Sequence, residues 1–232
     1  MGETVKERVE AVLERIARAA ARSGRPPDAV RLVAVSKTQP VSRVAEAYEA
    51  GLRVFGENYV QEAEEKVRAF PDAEWHLIGK LQGNKVKKAV SLFGWIQAVD
   101  SSRLLADVSR RCAEAGKTLP VLIEVNLAGE GSKAGVSPDE LPSLLASAAD
   151  LPGVRVRGLM AVPPATEDPE DSRPAFARLR ELLARYGSLG GAAGKMTELS
   201  MGMSNDFEAA IEEGATMVRV GTAVFGSRVR RE

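Results

Sequence analysis

The chain has one cysteine, Cys112, and one histidine, His76, in 232 residues. A lone cysteine excludes an intrachain disulfide and any metal site built on paired cysteines. A lone histidine leaves a Ser-His-Asp hydrolase only His76 to use, and no G-x-S-x-G elbow accompanies it. Charge of one sign is also lacking: 32 basic and 32 acidic side chains give a formal net charge of zero. That balance argues against a nucleic acid or an acidic membrane held by bulk electrostatics. The short basic run Arg228-Val229-Arg230-Arg231 reads as a solvated tail. No apolar run approaches the length of a membrane span, and the start Met1-Gly2-Glu3-Thr4 lacks the basic-then-apolar order of a signal peptide. The expected location is cytoplasmic.

Hydrophobic residues at 44% and charged residues at 28% match an ordinary globular protein. Residues 3–22 read as a first helix, with Val5, Val9, Val12, Leu13, Ile16 and Ala20 at helical spacing and Ser23-Gly24-Arg25-Pro26-Pro27 ending it. Short β-rich runs then alternate with helical stretches. The runs are 31–36, 53–56, 75–79, 95–99, 121–126, 154–162, 198–201 and 217–225. The helical stretches lie near 41–50, 59–69, 84–92, 102–115, 138–149, 173–186 and 205–213. Asp100-Ser101 can cap the fourth of these, Gly51 and Gly116 stand where left-handed stops belong, and Gly187 closes the sixth. With no hairpin signal between the runs, pairing is parallel through crossovers. An open doubly wound sheet fits this order, but evenly spaced βα units in this length favour a closed (β/α)₈ TIM-type barrel. The expectation is one domain over 1–232: an extra N-terminal helix within 1–24 and the barrel over 31–226.

In such a barrel the chemistry sits at the C-terminal ends of the strands. The first run ends Val35-Ser36-Lys37-Thr38, and alternation puts Arg31, Val33, Val35 and Lys37 on one face. A strand-end lysine ordinarily snorkels to solvent. Alternatively, a partly desolvated amine at the barrel mouth is a nucleophile toward a carbonyl. The seventh run leads through Ser200-Met201-Gly202-Met203-Ser204-Asn205-Asp206 into a helix, a turn suited to a phosphate or simply to N-capping by Ser204 or Asn205. In the eighth, Arg219 stands among valines before Gly221-Thr222, and a buried arginine needs an acceptor. Barrels commonly bind phosphate after these last two strands, so the two segments support each other. Asn58, after the second run, serves a ligand or a turn; His76 reads as a satisfied, semi-buried histidine. Two rim loops, 79–85 with Lys80 and 129–135 with Lys133, read as connections.

Taken in order, Ala34–Thr38, Phe55–Glu62, Trp75–Gly79, Gly158–Pro163, Leu199–Ser204 with Asp206, and Val218–Gly226 resemble the pyridoxal phosphate homeostasis proteins. The barrel of that family is similar to the N-terminal domain of alanine racemase. The resemblance runs from the first strand to the chain end. It implies pyridoxal 5′-phosphate as cofactor, held by Lys37 as an internal aldimine. It further implies Ser204, Gly221 and Thr222 as phosphate contacts with Ser200 close by, Arg219 facing the pyridine nitrogen, and Asn58 on the pocket wall. Loop 79–85 receives no role, and no residue is expected to bind metal or to be catalytic.

An arginine facing the ring nitrogen keeps it unprotonated, and an unprotonated pyridine is a weak electron sink. A racemase also needs a second acid/base on the opposite face of the cofactor, which in alanine racemase comes from a further β domain and the partner subunit. The expectation is therefore a monomeric carrier that buffers the cofactor or delivers it to apo-enzymes without efficient turnover. A small amino-acid racemase using Lys37 as base, and a Schiff-base aldolase acting on a phosphorylated sugar, are the competing readings.

Overall fold

The computed structural model describes residues 2–129, 134–189 and 194–226. Lys133 of the second rim loop and the basic run 228–231 therefore lie outside the described residues. Eight parallel strands form a closed barrel in chain order. They are β1 (Arg31–Val35), β2 (Val54–Glu57), β3 (Glu74–Leu77), β4 (Trp95–Val99), β5 (Leu119–Glu124), β6 (Val154–Met160), β7 (Glu198–Ser200) and β8 (Met217–Val220). Closure runs through β1 and β8, with Arg31 opposite Met217 and Ala34 opposite Val220. The helices are α1 (Val5–Arg22), α2 (Val41–Glu49), α3 (Val60–Ala69), α4 (Val86–Leu92), α5 (Ser102–Glu114), α6 (Leu141–Ala148), α7 (Arg173–Tyr186), α8 (Phe207–Glu212) and α9 (Thr222–Phe225). The sequence expectation of a (β/α)₈ barrel with an added N-terminal helix is met.

Strands buried on both faces must feed two cores. Val33, Ala98, Leu122, Met160 and Met217 fill the barrel interior. Leu32, Ala34, Phe55, Ile96, Val121 and Ile123 belong to the larger layer that also contains the helices' buried faces. On β1 this parity sends Val33 inward and Leu32 and Ala34 outward, which directs the positions beyond Val35 to the barrel mouth. The β6–β7 contact is closer than any side chain permits. A Cβ on Gly158 would stand 1.9 Å from the Glu198 carbonyl oxygen, so that strand pair requires glycine there.

Helix α1 starts on a capping box, with Thr4 N donating to Glu7 Oε2 at 2.7 Å and Glu7 N to Thr4 Oγ1 at 3.2 Å. Its buried stripe is Val5, Val9, Val12, Ile16, Ala19 and Ala20. Leu13, expected on that stripe, is 44% exposed: the face turned to α8 and α9 is narrower than the apolar pattern. Ser101 caps α5 by accepting from Leu104 N, and Gly51 and Gly116 take the left-handed stops at φ 99° and 63°. Gly187 closes α7 without a left-handed turn, at φ −60°. The eighth run is the main departure. β8 stops at Val220, and the chain turns into α9, with Val224 N and Phe225 N both donating to the Gly221 carbonyl. The continued apolar character past Gly221 serves a helical turn whose Val224 and Phe225 are buried in the outer core.

Candidate functional site

Closure makes β7, β8, β1 and β2 consecutive around the barrel. The seven residues singled out from the sequence all lie toward the C-terminal ends of these four strands or just beyond. Lys37 follows β1 and is half-buried. Val35 pairs with Gly56 on one side, and on the other Ala34 pairs with Val220. Lys37 is thus flanked by the segment carrying Asn58 and by that carrying Gly221 and Thr222.

The chain on either side of Lys37 is clamped from the helix layer. Lys66 Nζ, on α3, donates to the Ser36 carbonyl, to Glu57 Oε1 and to Glu62 Oε1, each at 2.7 Å. Ser36 Oγ donates to Glu57 Oε1 at 2.6 Å, and Thr38 N donates to Glu62 Oε1 at 2.5 Å. Thr38 has φ 64°, the one left-handed non-glycine residue among those described. Strain of this kind persists only where the surroundings enforce it, here immediately after Lys37. Glu57 is fully buried. Burial raises its carboxyl above the usual range, against the pull of Lys66.

On β8, Arg219 is 4% exposed. Its Nη1 donates to Ser200 Oγ at 2.7 Å and its Nη2 to the Ala161 carbonyl at 2.9 Å. Burial draws the guanidinium down to about 10, opposed by Glu124 and Asp206. Arg219 therefore remains a cation at neutral pH. Ser200, expected beside the phosphate, is wholly buried, and its hydroxyl is engaged by Arg219 and by Gln97.

The turn after β7 differs from a simple cap. Asp206 is the residue before α8 and accepts from Met203 N at 2.7 Å, while Asn205 Nδ2 donates to the Thr166 carbonyl. Ser204 points to the neighbouring strand end instead: its Oγ accepts from Gly221 N at 3.2 Å and from Ala223 N at 3.3 Å. Neither serine nor asparagine caps the helix; Ser204 instead ties the turn after β7 to the Gly221–Ala223 segment after β8. Gly202 makes the turn possible, with φ 88° and a would-be Cβ only 2.5 Å from Ala210 Cβ.

Of the seven, Asn58 alone lines the cavity of about 740 Å³ that opens over the mouth, bounded also by Lys80, Glu124, Asn126, Ala161 and Met203; the other six lie outside that lining. Gly79 lets β3 approach that wall, since a Cβ there would meet the Asn58 carbonyl at 2.6 Å. His76 is not at the mouth. It is fully buried inside the barrel, stacked on Trp95, and both ring nitrogens are in hydrogen bonds. Sequence reading missed Glu124, Gln97 and the Glu57–Lys66 pair. Glu124 follows inward-facing Leu122 by two positions, and Gln97 is the one polar residue in Ile96-Gln97-Ala98-Val99. Both signals are visible, but only once each strand's parity is known. Glu124 is 9% exposed, and burial raises its carboxyl, with Asp100 adding to the rise and Arg219 and Lys80 opposing it.

The alanine racemase N-terminal domain family matches residues 8–229. A pyridoxal phosphate homeostasis protein of Pseudomonas aeruginosa is 46% identical over 227 residues, covering 97% of this chain and 96% of that protein. The protein of the same name from Escherichia coli K12 is 43% identical over 222 residues, 94% of each chain. PipY of Synechococcus elongatus PCC7942, solved with PLP bound, is similar in structure at a TM-score of 0.80 and 42% identity, covering 91% of this chain and 100% of that one. Alanine racemase from Corynebacterium glutamicum, at 17% identity and a TM-score of 0.64, shares the fold, and this chain covers 60% of it.

Proposed function

This chain belongs to the pyridoxal phosphate homeostasis proteins, on the alanine racemase N-terminal-domain barrel, and we propose that it holds pyridoxal 5′-phosphate at the mouth between β7 and β2. Its task in this reading is to buffer the cofactor or deliver it to apo-enzymes in the cytoplasm, as a monomeric single-domain carrier. No helix among the described residues is long and apolar enough to cross a membrane. One observation carries the proposal: barrel closure gathers an amine, a hydroxyl-and-backbone edge and a buried arginine on adjacent strand ends.

The residues present fit that cofactor. Gly221 has φ −110°, which any residue adopts, and a Cβ there would meet nothing nearer than the Val35 carbonyl at 3.4 Å. The protein itself does not demand glycine at that position, whereas a phosphate drawn against the backbone does. When bound, the cofactor supplies an aldehyde that condenses reversibly with an amine. Lys37 would be that amine, its backbone fixed by the clamp at Ser36 and Thr38. Ser204, Gly221 and Thr222 would hold the phosphate, and Asn58 the ring's edge. Ser200 contributes by fixing Arg219.

Arg219 would face the ring nitrogen. A buried cation there opposes protonation of that nitrogen and limits carbanion chemistry, which favours retention over turnover. His76, the chain's one histidine, lies buried inside the barrel and cannot act as an acid/base at the mouth. The test is equilibrium titration with pyridoxal 5′-phosphate alongside an assay for conversion of L- to D-alanine. Saturable binding without alanine turnover is expected. Turnover abolished by Lys37→Ala would replace the carrier reading with the racemase one.

A further inference from the structure

A continuous line of polar groups crosses the barrel interior beneath Arg219. Arg219 Nη1 meets Ser200 Oγ at 2.7 Å, and Ser200 Oγ meets Gln97 Oε1 at 2.6 Å. Gln97 Nε2 meets His76 Nδ1 at 2.6 Å, and His76 Nε2 meets Glu74 Oε1 at 2.6 Å. Ser200, Gln97 and His76 are fully buried. Glu74 stands at the start of β3, at the opposite end of the barrel, where it is 42% exposed and paired with Arg31 at 3.2 Å. A polar chain through an apolar barrel core is expensive unless every member is satisfied.

The chemistry of the two ends fixes the direction of every link. Glu74 as a carboxylate only accepts, so His76 Nε2 must carry the proton. Burial lowers the His76 pKa despite Glu74, keeping the ring neutral and leaving Nδ1 bare. A bare Nδ1 requires the amide nitrogen of Gln97, which turns its oxygen to Ser200. Ser200 therefore gives its single proton to Gln97 and offers a lone pair to Arg219, which can only donate. The Gln97 amide is thus oriented by its two neighbours, with nitrogen to His76 and oxygen to Ser200. All four donors point the same way, from a cation at the mouth to a carboxylate at the far end. The charged groups facing His76 are Glu74 and Arg31, and Trp95 stacks on its ring at 5.4 Å.

We propose that Ser200, Gln97 and His76 are positioning residues: they form a one-directional relay that sets the Arg219 guanidinium and couples the cofactor ring to Glu74 across the barrel. The inference rests on the reading that Arg219 faces the ring of the bound cofactor. Because the line is fully paired, loss of one link leaves buried groups unsatisfied along it, and its effect reaches both ends.

A single histidine makes the test direct, since ¹⁵N imidazole spectra of the purified protein contain one assigned ring. Without added cofactor, His76 is expected as the neutral Nε2–H tautomer. Titrating in pyridoxal 5′-phosphate should shift both ring nitrogens, and Ser200→Ala should abolish that response. Glu74→Gln keeps an acceptor for His76 while removing the charge. It should weaken cofactor affinity about three- to tenfold and move the visible absorption of the bound cofactor. That variant and the wild-type spectra carry the test if Ser200→Ala does not fold. An Nδ1–H tautomer overturns the relay. So does cofactor binding that leaves the histidine signals in place, or a Glu74→Gln protein with unchanged affinity and spectrum. A protein that binds no cofactor overturns the functional reading and this coupling together, whereas normal binding with a silent histidine overturns the relay alone.

Discussion

Arg219 keeps its charge inside the barrel because Glu124 and Asp206 oppose the cost of its burial, and because Ser200 and the Ala161 carbonyl accept two of its protons. An amide in its place retains some hydrogen bonding but none of the charge. Arg219→Gln is therefore expected to weaken pyridoxal 5′-phosphate binding about tenfold or more, the loss of a charge-assisted hydrogen bond of about 1.5–3 kcal/mol. Cofactor fluorescence titration measures this, with circular dichroism to verify that the fold is kept. Unchanged affinity would remove Arg219 from the site.

At the scale of the element, the clamp joining β1, β2 and α3 rests on a buried ion pair. Lys66 and Glu57 have side chains 4% and 0% exposed, and one nitrogen serves Ser36, Glu57 and Glu62. Deleting one partner of a buried pair strands the other's charge. Lys66→Met should cost about 3–5 kcal/mol in urea unfolding, and adding Glu57→Gln should recover a large part of that loss. If the double variant is as unstable as the single, the stranded carboxylate is not the cause. Relaxation of Thr38 from φ 64° in the Lys66 variant would also loosen Lys37, so cofactor affinity should fall with stability.

For the whole molecule, the buried histidine sets a pH dependence. His76 is held below its ordinary 6.5, chiefly by burial. Below that value the unfolded chain takes up a proton that the native ring refuses, so this group's contribution to stability falls as pH drops, by at most about 1.4 kcal/mol per pH unit. Glu57 and Glu124, raised by burial, act with the opposite sign: their contribution is present below 4.5 and lost as pH rises through their folded values. The histidine part is isolated by following the one imidazole by NMR. Its native signal should titrate at a lower pH than in urea, where the ring titrates near 6.5. A native ring that titrates normally would contradict its burial.

The barrel was legible because each βα unit carries its own local signals, such as the Ser101 cap and the stops at Gly51 and Gly116. The end of β8 was not, because Val220-Gly221-Thr222-Ala223-Val224-Phe225 is mostly apolar and too short for periodicity to separate a strand from one helical turn. Lys37, Arg219 and the Ser204 turn stood out as strand ends. Gln97 could not, since its partner Ser200 lies 103 residues away and is brought to it only by the closed barrel.

Everything proposed for the mouth depends on Lys37 being the amine that holds the cofactor. Protein saturated with pyridoxal 5′-phosphate, reduced with borohydride and digested, should yield one phosphopyridoxyl-lysine peptide containing Lys37, absent from Lys37→Ala. An adduct found only on Lys80 or Lys133, or retained at full yield in that variant, would contradict the account.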